Sequence, residues 1–166
     1  MVALVVTTPS LPRRLLAVFV GGFFGTVTRY LLSITIQSAL GKAWPYDILL
    51  INVTGACVLA FITTLADASL FVGPTRRLFL NVGFLGAYTT FSSLALGDVL
   101  LFANGRWPLA LLYLLLSLAG GIGAVLLGDA LGQWCIRQAK RRHVWSVSNA
   151  SREDHLDMQD DLLLPD

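Results

Sequence analysis

Small and hydroxylated residues interrupt a long apolar run at residues 83–94, GFLGAYTTFSSL. Glycine and paired threonines loosen a helix, so that some backbone carbonyls lose their hydrogen-bond donors. Within a membrane, such unpaired carbonyls are tolerated only where protein buries them or where they contact water or ions. Freed carbonyls are hard oxygen ligands for a cation. Phe91, Ser92 and Ser93 follow, and hydroxyl donors and the positive edge of an aromatic ring suit a small anion. The stretch is therefore either an ion site or a kinked helix whose serines bond to their own backbone.

Two further polar side chains lie inside apolar runs. Arg29 lies well inside the first run, where a charge is costly unless it faces protein or water. It either snorkels to the surface or faces an ion. Asn52 lies near the start of the second run and either bonds a neighbouring helix or serves the same site. Small residues also recur at four-residue spacing, which allows close helix approach within the chain or between chains: Gly21 and Gly25, then Gly120, Ala124, Gly128 and Gly132.

The elements that must position these residues are membrane-spanning helices. The chain has 166 residues, of which 55% are hydrophobic and 13% charged, whereas soluble domains carry about 25% charged residues. Runs of roughly 20 mainly apolar residues are long enough to span a membrane, and four such runs lie at 15–37, 48–70, 78–103 and 107–136. We therefore predict an all-α membrane protein with four transmembrane helices, the third broken between Gly86 and Thr90. No Ser/His/Asp set, carboxylate pair or phosphate-binding loop lies in these runs, so we expect neither an enzyme nor a nucleic-acid partner.

Basic residues are distributed unevenly between the two ends of this predicted bundle. Eight basic residues lie at the end that holds both termini and the loop after the second run. The other end has only Lys42 and Arg106. This asymmetry predicts a multi-pass cell-membrane protein with both termini in the cytoplasm. We expect a cytoplasmic segment at 1–14, four transmembrane helices within 15–137, and a polar, disordered cytoplasmic tail at 138–166. The eight basic residues are Arg13, Arg14, Arg76, Arg77, Arg137, Lys140, Arg141 and Arg142.

Three segments together resemble the Fluc (CrcB-type) fluoride channels. Residues 83–94 are similar to the third-span signature G-F-x-G-x-x-T-T-F-S of that family. GGFFGTVTRYLL (21–32) resembles its first-span glycines and arginine, and PYDILLINVTGACVLA (45–60) resembles its P-x-G-T-L-x-V-N-x-x-G segment. The likeness extends over residues 15–136.

The resemblance implies a fluoride-specific channel subunit that exports fluoride passively from the cytoplasm and so reduces its toxicity. It also implies an antiparallel dimer in the lipid bilayer, with a structural sodium ion at the dimer interface. Backbone carbonyls of Gly86 and Thr89 would hold that ion. The ion-pathway residues that the resemblance implies are Asn52, Phe91, Ser92, Ser93, Arg29, Tyr113 and Ser117.

The chain departs from the family pattern at two places. Leu94 stands where the family has a second phenylalanine, and Asp47-Ile48 stands where it has Gly-Thr. One ring edge and one vestibule hydroxyl are therefore missing. The charge asymmetry also opposes insertion in both orientations, so we expect this chain to pair with an oppositely oriented relative.

Two other functional interpretations stay open. A proton-coupled exporter of the small-multidrug type needs a carboxylate within the membrane. Asp129 is the candidate, because Asp47, Asp67 and Asp98 lie at or near the ends of the runs. The missing ring at Leu94 would instead suit a non-conducting assembly subunit of a heterodimeric channel.

Overall fold

The computed structural model describes residues 10–68 and 73–163, with side chains described up to residue 141. Residues 1–9, 69–72 and 164–166 lie outside the described part, and with them most of the predicted segment 1–14. Throughout the described residues the elements are helical, without a strand. In chain order they are α1 (Leu11–Leu40), α2 (Tyr46–Asp67), α3 (residues 74–88), α4 (Phe91–Ala103) and α5 (Trp107–Leu163).

Four stretches of these helices are long and apolar enough to cross a membrane. The third stretch, Pro74–Ala103, combines α3 and α4, and the fourth is Trp107–Arg141. The prediction of an all-α protein with four transmembrane helices is confirmed.

Glycine and proline mark the helix ends near the loops that the sequence predicts. α1 begins at Leu11, slightly earlier than predicted, because Pro12 is favoured in the first turn of a helix. Gly41 (φ 81°) ends α1, and Gly105 (φ 70°) lies between α4 and α5. Both have left-handed backbones, which glycine adopts without strain.

The backbone of α5 continues past residue 137, where we expected the transmembrane part of the chain to end, and reaches Leu163. The sequence predicts a disordered tail over 138–166. The helix can extend because residues 138–163 contain neither proline nor glycine. The division of the chain at 14 and 137 stays a prediction.

Close helix pairs build the bundle, with α1 packed on α3 and α2 packed on α5. A Cβ atom at Gly25 would overlap the Phe84 backbone carbonyl of α3, and one at Gly128 would overlap the Cys57 carbonyl of α2. Small residues at these positions allow two backbones to approach in lipid. The sequence left open whether the small-residue stripes act within or between chains, and the structure places both of these contacts within the chain.

Candidate ion site

The third span is interrupted at Thr89 and Thr90. α3 ends at Tyr88, and Thr89 (φ −81°, ψ 154°) and Thr90 (φ −151°, ψ 123°) have extended backbones before α4 begins at Phe91. Thr90 caps the new helix, because its Oγ1 accepts the Ser93 backbone N–H at 3.2 Å. The interruption lies within the stretch where the sequence predicts it.

Asn52 of α2 holds this interruption from the neighbouring helix. Its Nδ2 donates to the Thr90 carbonyl at 2.9 Å, and its Oδ1 accepts the Thr90 backbone N–H at 2.8 Å. One side chain thus satisfies both backbone groups of the residue that leaves the helix, and such groups are costly to leave unpaired in a membrane. A side-chain amide has two N–H donors, and within the described residues one of them has no partner and lies beside the break. The structure thus shows Asn52 bonding the interrupted third span, and its part in an ion site stays a prediction.

The interruption also redirects two backbone donors away from Gly86 and Thr89. In a continuous α-helix the Gly86 carbonyl would accept the Thr90 N–H, and the Thr89 carbonyl would accept the Ser93 N–H. The Thr90 N–H instead bonds Asn52, and the Ser93 N–H bonds the Thr90 hydroxyl. Both carbonyls therefore lack their helical donors. Such oxygens are suitable ligands for a hard cation.

Tyr88 anchors the helix immediately before the break. Its side chain is buried and stacks on Phe84, with ring centroids 6.0 Å apart. Its hydroxyl lies 3.0 Å from Thr54 Oγ1, within hydrogen-bonding distance. Ile51 and Leu85 complete the buried cluster around the ring. Sequence reasoning did not single out Tyr88, although its place beside the paired threonines was the available signal.

A groove of about 480 Å³ opens beside the break, and we call it the Phe91 groove. Five of the nine predicted site residues line it, namely Asn52, Gly86, Thr89, Phe91 and Ser117. Phe91 is 80% exposed, so its ring projects from the subunit instead of packing into it. The Ser117 hydroxyl is buried and has no hydrogen-bond partner within the described residues. The groove thus combines a free hydroxyl, an amide and an aromatic ring.

Arg29 and Ser93 line a different groove of about 380 Å³, which we call the Arg29 groove, together with Ser33. Arg29 is half-buried, and its Nε lacks a hydrogen-bond partner in the part of the chain that the structure describes. A guanidinium beside a groove supplies positive potential there. Ser92 is exposed, and its hydroxyl lies 3.2 Å from the Thr90 hydroxyl. The predicted site residues therefore do not converge on one space in this subunit.

Tyr113 lies in the packed interior of the bundle and lines neither groove. It is fully buried with Leu101 and Ala110, and its ring meets Trp44 edge-on with centroids 5.3 Å apart. Its hydroxyl has no hydrogen-bond partner within the described residues. Leu94 packs against this cluster and also lines the Phe91 groove. The leucine that replaces the second phenylalanine therefore contributes both to packing and to a groove wall.

Asp129, the candidate carboxylate for proton-coupled export, is bound on both oxygens. Its Oδ1 accepts the Thr64 hydroxyl at 2.7 Å, and its Oδ2 accepts Gln133 Nε2 at 2.8 Å. Arg137 in turn donates to Gln133 Oε1 at 3.3 Å. The Thr64 contact ties α2 to α5, so the geometry gives Asp129 a packing role.

Comparison with known proteins identifies the family. Residues 16–129 match the family model described as CrcB-like protein, Camphor Resistance (CrcB). The chain belongs to the CrcB-like family. The matched segment of this CrcB-like chain includes the break of the third span and the residues of both grooves, so the resemblance that the motifs indicate is confirmed.

Several curated relatives of this CrcB-like chain carry the name Fluoride-specific ion channel FluC. The relative from Roseiflexus sp. (strain RS-1) is 40% identical over 120 residues, which cover 72% of this chain and 97% of the relative. The relative from Chlorobium chlorochromatii (strain CaD3) is 38% identical over 121 residues, which cover 73% and 93%. The relative from Acidobacterium capsulatum is 39% identical over 119 residues, which cover 72% and 95%.

Proposed function

We propose that this chain is a subunit of a fluoride-specific channel that exports fluoride passively from the cytoplasm. The observation that carries the proposal is the interrupted third span, fixed by Asn52 and opening beside Phe91 into a groove with a free buried hydroxyl. The names of the curated relatives support fluoride as the ion. The proposal assigns no enzymatic activity to the chain.

The groove chemistry suits a small, strongly hydrated anion. Such an ion needs donors in place of its water, yet must be bound weakly enough to leave. Neutral groups provide this in the Phe91 groove, where Asn52 and Ser117 offer donors and the Phe91 ring offers its positive edge. Arg29 and Ser93 would act from the Arg29 groove, with Arg29 adding positive potential. A cell-negative potential of 100 mV favours the exit of one anion by about 2.3 kcal/mol, so no pump is needed.

The exposed ring suggests that a second subunit completes the pathway. Phe91 is 80% exposed and would meet groups of an antiparallel partner in the lipid bilayer. At that interface the Gly86 and Thr89 carbonyls would hold a sodium ion, whose charge would stabilise the broken helices and raise the local potential. The strong charge asymmetry of the chain favours an oppositely oriented relative as the partner, with both termini of this chain cytoplasmic.

Phe91 provides the direct test of this proposal. Replacing Phe91 with isoleucine keeps an apolar side chain and removes the ring edge, so we expect at least an approximately tenfold loss of fluoride flux, equivalent to about 1.4 kcal/mol. Fluoride efflux from liposomes, followed with a fluoride electrode, measures this loss of flux. Phe19→Ile is the matched control, because Phe19 is 74% exposed on α1 and lines neither groove. Equal flux in the Phe91→Ile and Phe19→Ile channels would contradict the proposal.

The exporter interpretation makes a different prediction at Asp129. As a proton carrier, Asp129 would be essential, and Asp129→Asn would abolish transport. In the channel that we propose, Asp129 ties α2 to α5 through its bonds with Thr64 and Gln133, and asparagine can accept the first bond. We therefore expect Asp129→Asn to keep fluoride flux within about twofold of the unaltered channel, with at most a small loss of stability. Loss of all transport in a folded Asp129→Asn protein would favour the exporter.

Reconstitution distinguishes the third interpretation, a non-conducting assembly subunit, from a conducting channel subunit. Liposomes should hold this chain alone, its oppositely oriented relative alone, or both. We expect selective fluoride efflux from the pair and none from either chain alone. Flux from this chain alone would favour a homodimer. If the relative alone conducts fluoride at the same rate as the pair, the result would favour the assembly role for this chain.

A further inference from the structure

Asp47 is the buried charged side chain of the described bundle, with 4% of its surface exposed. It lies in the first turn of α2. Its Oδ2 accepts hydrogen bonds from the Ser33 hydroxyl and, at 2.8 Å, from Gln37 Nε2. Two side-chain donors from α1 are therefore directed at the Asp47 carboxyl group. The proposed ion pathway does not use this charge.

A cavity of about 490 Å³, which we call the Asp47 cavity, adjoins this cluster. Its polar and charged lining includes Ser33, Gln37, Lys42, Asp47, Ser93, Asn104 and Arg106. Ser33, Ile48 and Ser93 line both this cavity and the Arg29 groove. The two spaces therefore adjoin each other beside the Asp47 cluster.

An anion that moves between the two spaces meets two unfavourable features there. The first is the fixed negative charge of Asp47, which repels it. The second is a loss of donors, because the Ser33 hydroxyl and the Gln37 amide are already directed at Asp47, and Gln37 Nε2 also donates to Ser33 Oγ at 3.2 Å. Fluoride needs such donors to replace its water. The positive charges of Lys42 and Arg106 also line the Asp47 cavity and attract an anion into it, and Arg106 keeps its charge while it donates to the Ala43 carbonyl at 2.8 Å. Asp47, by contrast, accepts a hydrogen bond from Ser33, which lines both spaces, so its charge acts where they adjoin.

We propose that Asp47 limits anion conduction where the Arg29 groove adjoins the Asp47 cavity. This inference rests on the proposed fluoride conduction and names a residue that sets its rate. Asp47 acts by repulsion and by occupying Ser33 and Gln37, without serving as a ligand for fluoride.

Asp47→Asn tests the inference, because asparagine keeps the size of the side chain and an acceptor for Ser33 but removes the charge. We expect fluoride efflux from liposomes at low ionic strength to rise at least about threefold, the effect of one unit charge roughly 6 Å away in water-like surroundings. Asp47→Glu retains the charge and should stay at or below the unaltered rate.

Asp129→Asn is the matched control, since it neutralises another hydrogen-bonded carboxylate that does not line the cavity. Asp47→Ser is a second neutral variant in case Asp47→Asn does not fold. An unaltered channel that conducts fluoride while both neutral Asp47 variants conduct at or below its rate would overturn this inference and leave the proposed function intact. Absence of fluoride flux from the unaltered channel and from Asp129→Asn would overturn the proposed function, and this inference with it.

Discussion

Replacing Asn52 with alanine should lower fluoride flux by about 100-fold and reduce the stability of the folded protein. The Asn52 amide satisfies both the N–H and the carbonyl of Thr90, and alanine leaves both groups unpaired in the membrane. Each unpaired buried group costs about 1–3 kcal/mol, so two such losses are enough to collapse or displace the break. Fluoride efflux from liposomes and the melting temperature in detergent measure the two effects.

The side-chain chemistry of Asn52 can be separated from its size. Asn52→Asp keeps an acceptor for the Thr90 N–H but places a carboxylate oxygen against the Thr90 carbonyl, so it should lose flux as alanine does. Asn81→Ala is the matched control, because Asn81 is another asparagine in a span and its Nδ2 donates to the Thr63 hydroxyl at 3.1 Å. We expect fluoride flux through Asn81→Ala to stay close to that of the unaltered channel. If Asn52→Ala conducts as well as Asn81→Ala, the role given to the Thr90 clamp is wrong.

Replacing Gly128 with alanine should destabilise the bundle by about 1–3 kcal/mol, the usual cost of overpacking a close contact. The added Cβ would overlap the Cys57 carbonyl of α2 and would lie 3.1 Å from the Ala60 Cβ. Backbone atoms cannot rotate away from this contact, so α2 and α5 must separate. Thermal or denaturant unfolding of the detergent-solubilised protein measures the loss.

Gly123 provides the control on the same helix. A Cβ at Gly123 has no atom within 4 Å in the described part of the chain. Alanine is the better helix former by up to about 1 kcal/mol, so Gly123→Ala should be neutral or stabilising. Equal destabilisation by the two substitutions would show that α2 and α5 do not approach as closely as described.

Much of the architecture could be predicted because a membrane imposes strong compositional requirements. Apolar runs of sufficient length indicate the spans, and Gly41 and Gly105 lie in the loops between them. The break of the third span is also visible in the sequence, since Thr89 and Thr90 follow Gly86 in an otherwise apolar run. The motif around Phe91 then indicates the family.

The arrangement of the site was harder to predict from the sequence, because it depends on which side of each helix faces a neighbouring helix. Ser93 and Phe91 are two residues apart, yet they line different grooves. Tyr113 and Ser117 are one turn apart on α5, but only Ser117 reaches the Phe91 groove. Residue positions along the sequence do not specify how each helix is rotated about its own axis, and this rotation decides which side chains reach a groove.

Polar contacts between residues far apart in the sequence could not be predicted either. The sequence showed Asp47 as a departure from the family pattern and as a carboxylate near the end of a run. Its bonds to Ser33 and Gln37 depend on how α1 packs beside the first turn of α2. Likewise, Asn52 was recognisable as a polar residue in a span, but its paired bonds to Thr90 require the break to lie at the same depth in the bundle.

The central claim is that the interrupted third span forms a pathway for fluoride in preference to other anions. Simultaneous measurement of fluoride and chloride efflux tests it most directly, with liposomes that hold this chain and its oppositely oriented relative. Equal internal concentrations of both anions and a potassium ionophore would remove the charge limitation on efflux. We predict rapid release of fluoride while chloride stays inside. Release of both anions at similar rates, or retention of both, would contradict the account.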